Sequence, residues 1–287
     1  MKIIRLEPQG YCSGVKNALT MAYQAMENPD LPRPIYLLGS IIHNKTVIED
    51  FKEKGAILLE EKGTSKTELL KKISKGTIII SAHGVSQEIY SLADQKGLKL
   101  IDTTCGNVRW IHKRIQQHLE EGYTCLYIGM KGHPECEGVL GISSSILLIE
   151  SLEQAKFIKA NPEKIYVTNQ TTLSLYDTKQ IYDYLATTYP TAILDNAICK
   201  ATTIRQEACY TQERVDLCIV VGDKASSNTK KLALASQSVG IPTILVENVT
   251  DVQKLSLKQI SSISITSGAS TPSHVVEEIM TYLEQEV

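Results

Sequence analysis

At 287 residues, with 43% hydrophobic and 22% charged residues, the chain has apolar content for real cores and the charge of an ordinary soluble protein. A formal net charge of −2 argues against a general nucleic-acid binder, which carries a basic face. No apolar run is long enough to span a bilayer, so no membrane partner is expected.

The N-terminal stretch MKIIRLEPQGYCSGV has neither an apolar leader core nor a small-residue cleavage site. It predicts a first strand and a cytoplasmic protein. Three kinds of segment then recur in one order, about ninety residues apart. The first kind sets a cysteine just before a helical stretch: Cys12 in GYCSGVKNALTMA, Cys105 in TTCGNVRWIHKRI and Cys199 in AICKATTIRQEA. The second is an apolar strand running into a glycine and a polar loop. Gly39 ends IYLLG before His43, Gly129 ends CLYIG before His133 and Glu135, and Gly222 ends CIVVG before Ser226, Ser227 and Asn228. The third is a β-branched strand ending in small polar residues: TIIISAHGVS with His83, IYVTNQTTLS with Thr171 and Thr172, and SISITSGASTP with Ser267, Gly268 and Ser270.

Short apolar strands thus alternate with amphipathic segments such as 111–119 and 230–237. The alternation predicts an α/β fold with parallel strands. Three similar α/β domains are expected at 1–103, 104–197 and 198–287, with the N-terminal strand able to join the third. Ligands in such sheets sit at the carboxyl ends of the strands, where the polar loops fall. Packing around a pseudo-threefold axis would bring nine such loops to one cavity.

One cysteine per repeat, at one equivalent place, makes a threefold ligand set. Soft sulfur ligands suit zinc, copper(I) or an iron–sulfur cluster, and the wide spacing is unlike a zinc knuckle. A [4Fe–4S] cluster held by three cysteines keeps one iron open. The plainer alternative is three core cysteines. That is the reading for Cys125 and Cys218 in apolar strands and Cys209 in a helical stretch, while Cys136 has no assigned role. His43, His83 and His133 can donate hydrogen bonds to phosphate. His112, His118 and His274 read as ordinary surface or helix residues. The SSNT and SGAS loops add hydroxyl, amide and backbone donors before apparent helices, a way to hold diphosphate that plain helix capping would also explain. Glu135 beside His133 can carry a proton, and Thr171 or Thr172 can bond a substrate hydroxyl.

The ordered set GYCSGV, HNKTV, SAHGVS, TTC, GHPECEG, TNQTTLS, VVGDKASSNTKKL and TSGAS resembles the LytB or IspH family, the 4-hydroxy-3-methylbut-2-enyl diphosphate reductases, over nearly the whole chain. The resemblance implies a trefoil of three α/β domains around a central iron–sulfur cluster. It implies removal of the allylic hydroxyl to give isopentenyl and dimethylallyl diphosphate, for isoprene biosynthesis by the non-mevalonate route. It implies a [4Fe–4S] cofactor on Cys12, Cys105 and Cys199, its open iron facing the substrate oxygen. Glu135 would be the proton donor beside Thr171 and His133, and His43, His83, His133, Ser226, Ser227, Asn228 and Ser270 would hold the diphosphate. The electron donor would be ferredoxin- or flavodoxin-like. Three positions depart from the common pattern: Gly106 stands where proline is usual, Lys200 follows the third cysteine, and Ala225 precedes Ser226.

Overall fold

Runs of branched apolar residues become the strands, and those of the inner strands close on glycine or small polar residues. The computed structural model describes residues 1–159 and 163–285. Its first elements are β1 (Lys2–Arg5), α1 (Ser13–Glu27), β2 (Ile35–Leu38), α2 (Lys45–Glu53), β3 (Ile57–Leu59), α3 (Lys66–Lys71), β4 (Thr77–Ile80), α4 (Gln87–Gln95) and β5 (Lys99–Asp102). The middle holds α5 (Gly106–Glu120), β6 (Thr124–Ile128), α6 (Pro134–Leu140), β7 (Leu147–Ile149), α7 (Leu152–Phe157), β8 (Ile165–Asn169), α8 (Leu175–Thr188) and β9 (Ile193–Leu194). The last elements are α9 (Lys200–Thr211), β10 (Leu217–Val221), α10 (Ser227–Ser238), β11 (Thr243–Val246), α11 (Val249–Gln253), β12 (Ser262–Ser267) and α12 (Ser273–Gln285).

The fold is mixed α/β with three parallel four-stranded sheets, ordered β3-β2-β4-β5, β7-β6-β8-β9 and β11-β10-β12-β1. The order is the same in all three. Each sheet is entered at an inner strand, steps outward to one edge and returns to the other inner strand; the far edge is then the next strand in chain order, β5 or β9, in two sheets and the chain's first strand, β1, in the third. The switch point therefore lies between β2 and β4, between β6 and β8, and between β10 and β12. A crevice opens at such a point, beyond the carboxyl ends of the strands.

By its packing the chain divides into two units. A terminal unit comprises Met1–Ser13, Thr172–Leu175 and Ile198–Val287, and a central unit comprises Gly14–Thr171 and Tyr176–Ala197. In the terminal unit, Lys2 to Arg5 of β1 lie in parallel register with Ser262 to Ile265 of β12. The strand side chains alternate between two cores. Ile219 and Val221 of β10 join Ile263, Ile265, Val276, Ile279 and Leu283 on one face. Cys218 and Val220 join Leu6, Cys209, Leu232 and Ala235 on the other. Each fully buried branched side chain contributes about 1.5–3 kcal/mol, which is why these strands are apolar throughout.

The central unit holds the other two sheets. Leu38, Leu69, Leu70, Ile78, Ile80, Val85 and Ile89 form one of its cores. Ile111, Ile115, Cys125, Tyr127, Cys136, Val139 and Tyr166 form another. Cys125, Cys136, Cys209 and Cys218 are all core residues, and burial pushes the thiols of Cys136 and Cys209 up to about 12. His118 is a helix residue, one arm of its sequence reading, and not a surface one. It is buried in α5 and its ring stacks on Tyr166 at 3.8 Å, with Nδ1 2.7 Å from the Arg114 carbonyl. Among the described residues no helix is long and apolar enough to cross a membrane.

Candidate active site

The switch points of the central unit carry four chemistry-bearing side chains. His43 follows β2, His83 follows β4, His133 follows β6 and Thr171 follows β8. The three imidazoles meet: ring centroids lie 4.7 Å apart for His43 and His83, 5.9 Å for His43 and His133, and 5.6 Å for His83 and His133. His133 is the N-cap of α6, and its Nδ1 accepts from the Glu135 amide at 3.2 Å. A neutral imidazole that accepts at Nδ1 carries its proton on Nε2, so His133 presents a donor on its far side. Burial holds His133 down to about 4 and His83 well below the usual histidine range, and each is lowered further by neighbouring positive charge, including Lys66. At neutral pH both rings are uncharged donors.

Glu135, one residue into α6 beyond Pro134, is 1% exposed. Its carboxylate accepts from the Thr171 amide at 2.8 Å and from the Thr171 hydroxyl at 2.9 Å. Burial raises its pKa to about 7, and the two bonds from Thr171 only partly oppose that. Tyr127 also brings its hydroxyl toward this carboxyl, and that buried oxygen has no other hydrogen-bond partner among the described residues. Thr171 is held from behind. The Gln170 amide donates to the Ile128 carbonyl at 2.8 Å, and the Gln170 side chain accepts from the Met130 amide at 3.1 Å.

A cavity of about 650 Å³ opens beside the histidines, lined in part by Ser40, His43, Lys66, Ser81 and Glu137. Nitrogen atoms of His43, His83 and His133 lie within 4.8 Å of one another, close enough to consider a metal ion. The field argues otherwise. Burial chiefly lowers those rings, and Lys66 adds a positive neighbour whose field disfavours a cation and favours an anion. Cys105 belongs to the same unit. It caps α5, and its amide donates at 2.9 Å to the carbonyl of Ala82, the residue before His83.

The terminal unit carries a second set at its own switch point. Ser226 caps α10, accepting from the Thr229 amide at 3.3 Å. Thr172 donates to the Ser227 hydroxyl at 3.3 Å. Asn228 accepts from the Ala269 amide at 3.0 Å and donates to Thr202 at 3.2 Å, so its side chain ties the two loops together. Ser226, Ser227, Asn228 and Ser270 are all buried. Gly268 makes room for α10, since a Cβ there would stand 2.3 Å from the Thr229 hydroxyl. Cys12 donates its amide to the Ala269 carbonyl at 3.1 Å. Cys199 caps α9, with Sγ 3.2 Å from the Thr202 hydroxyl.

Cys12, Cys105 and Cys199 are thus half-buried, each just before a helix of at least twelve residues, whereas the other four cysteines are buried. Thiols are soft donors, and a half-buried position is not that of a plain core cysteine. Sequence reasoning missed Lys66 and Tyr127. Lys66 sits in a lysine-rich run and Tyr127 in an apolar strand, and neither context distinguishes it.

The sequence profile of the LytB protein family matches residues 3–284. A 4-hydroxy-3-methylbut-2-enyl diphosphate reductase of Halalkalibacterium halodurans is 41% identical over 99% of this chain and 91% of its own length. Its namesake in Bacillus cytotoxicus is 44% identical over 99% of this chain and 91% of its own. Among solved structures, the E-1-hydroxy-2-methyl-but-2-enyl-4-diphosphate reductase of Plasmodium falciparum superposes with a TM-score of 0.87 at 31% identity, covering 99% of this chain and 87% of that one. A second solved (E)-4-hydroxy-3-methyl-but-2-enyl diphosphate reductase, the terminal enzyme of the non-mevalonate pathway, has a TM-score of 0.67 at 29% identity, covering 99% of this chain and all of that one. On these likenesses, the chain belongs to the LytB protein family.

Proposed function

We propose that the chain reduces 4-hydroxy-3-methylbut-2-enyl diphosphate, removing its allylic hydroxyl to give isopentenyl and dimethylallyl diphosphate. The chain is a reductase of the family's kind. In balance, two electrons and two protons enter, the carbon–oxygen bond breaks, one carbon–hydrogen bond forms, and water leaves. The observation that carries the reading is Glu135: a buried carboxyl raised to about 7 beside uncharged histidine donors. A carboxyl so placed is about half protonated at neutral pH and can deliver a proton to a leaving hydroxyl.

Family membership implies an iron–sulfur cofactor. Cys12, Cys105 and Cys199 would hold it as a [4Fe–4S] cluster with one iron lacking a protein ligand, which their placement before helices supports. Such a cluster supplies single electrons and a Lewis-acidic iron. The side chains do the rest. His43, His83, His133, Ser226, Ser227, Asn228 and Ser270 are the diphosphate donors, fixed before substrate arrives, so little reorganisation is needed. The Thr171 amide and hydroxyl aim the Glu135 carboxyl. A ferredoxin- or flavodoxin-like protein supplies the electrons, and the protein works in the cytoplasm.

The test is the reconstituted enzyme under anaerobic conditions, with a reduced dye as electron source and both products quantified. Wild type is expected to form both. Glu135→Gln keeps its cluster and its substrate-induced spectral change but loses at least about 100-fold in turnover. Full turnover by that variant sinks the proton-donor role, and a wild type that takes up iron and sulfide yet ignores the substrate sinks the substrate assignment.

A further inference from the structure

We propose that Arg205 is a positioning residue for the cluster-binding cysteines: it fastens the Cys12 segment to the helix that begins at Cys199 and places a buried positive charge beside both sulfurs. This rests on the reading of Cys12 and Cys199 as cluster ligands.

Arg205 lies on α9, in the helix capped by Cys199, and is only 3% exposed. Its Nη1 donates to the Ala201 carbonyl at 3.0 Å, in the first turn of the same helix. Its Nη2 donates to the Gly10 carbonyl at 2.8 Å, two residues before Cys12. One guanidinium thus joins the two cysteine-bearing segments. The Gly10 end is rigid. Its amide donates to the Ser267 hydroxyl at 3.0 Å, and the Cys12 amide reaches Ala269. Gly10 has φ +73°, and a Cβ there would stand 2.3 Å from the Ser273 hydroxyl, so no other residue can turn its carbonyl toward Arg205 in this way.

The charge balance points the same way. A buried guanidinium is costly unless an anion compensates it. No carboxylate pairs with Arg205 among the described residues, and its Nε, also buried, has no hydrogen-bond partner among them. Burial works against the charge, and the acidic groups that support it are Cys12, Cys199 and then Glu7. Glu7 is exposed and accepts a bond from the Gln9 amide. The counter-ions that remain are the two sulfurs, which carry negative charge when they bind metal. An arginine beside thiolates favours the more negative, reduced state of whatever those thiolates hold.

The experiment compares anaerobically reconstituted wild type, Arg205→Lys and Arg205→Met. Iron and sulfide content, the rate of iron release to a chelator, and the midpoint potential are measured on each. Removing the charge in Arg205→Met is expected to shift the potential negative and to speed iron release about 10- to 100-fold. Arg205→Lys keeps the charge but loses the fork, so its potential stays near wild type while release is still faster. Should Arg205→Met fail to fold, Arg205→Lys decides, and wild-type release from it overturns the proposal. A folded Arg205→Met with wild-type potential and release, whether or not its melting point falls, also overturns it. A wild type that takes up no cluster removes the underlying ligand assignment instead, which is a different failure.

Discussion

Glu135 owes its chemistry to burial, and burial has a thermodynamic signature. Its folded pKa of about 7 stands above the 4.5 of an unperturbed glutamate. Below pH 4.5 the group is protonated in both folded and unfolded chains. Between 4.5 and about 7 the native state keeps a proton that the unfolded chain has released. Stability therefore falls as pH rises through that window and levels off above it. Glu135→Gln removes the titration while its amide oxygen can still accept from the Thr171 amide. Unfolding free energies by urea at pH 4.5, 6 and 8 are expected to show the variant gaining on wild type across the window, by on the order of 3 kcal/mol in total. Parallel curves would mean that Glu135 stays ionised in the native chain. The residue pattern GHPE announces a carboxyl beside a histidine, but no sequence pattern announces its burial. That depends on Tyr127 from β6 and Thr171 beyond β8, which only the sheet brings to it.

Two elements begin on a cysteine cap, α5 on Cys105 and α9 on Cys199. Gly106 opens α5 at a position where the family resemblance leads one to expect proline. Nothing in the fold requires glycine there. A Cβ at Gly106 would meet no atom within 4 Å, and its φ is not among the positive ones. Proline is favoured in the first turn of a helix, where its missing N–H has no helical partner to lose. It also demands an extended residue before it, and Cys105 already has φ −56° and ψ 138°. Gly106→Pro is therefore expected to stabilise the chain by about 0.4–1 kcal/mol, mainly by restricting the unfolded state. Thermal and urea unfolding of the two proteins check this, and a loss of stability would show that α5 needs freedom at its start. The elements themselves were legible. Runs such as TIII and LCIVV are strands buried on both faces, the first closed by Ser81 and the second by Gly222. Arg205 was not legible, because an arginine within a polar helix reads as a solvated charge until its helix is packed.

Across the whole molecule one sheet order is used three times, and the cysteines follow the same edge strand each time: Cys12 after β1, Cys105 after β5 and Cys199 after β9. The repeat in the sequence reveals this periodicity, and the α/β class with parallel strands follows from it. The hydrogen-bond register cannot be read there, because it pairs residues far apart in the chain. The terminal unit shows the consequence. β1, the first strand of the chain, covers β12, the last, with Ile3 opposite Ile263 and Arg5 opposite Ile265. The Leu6 amide continues the ladder to the Ile265 carbonyl at 2.9 Å, and Leu6 is buried in the core with Val220 and Leu232. Deleting residues 2–5 would turn β12 into an open edge with unpaired carbonyls and amides. It would also expose apolar surface now covered by Ile3 and Ile4, each roughly 1–2 kcal/mol when half or more buried. Hydrogen exchange is expected to show β12 losing protection in the deletion variant, while β11, at the opposite edge of the same sheet, loses much less. Equal loss in β11 and β12 would mean that the terminal unit unfolds as a whole without its first strand. Unchanged protection in β12 would mean that the β1 pairing contributes nothing to the sheet that carries Ser267 and Ser270.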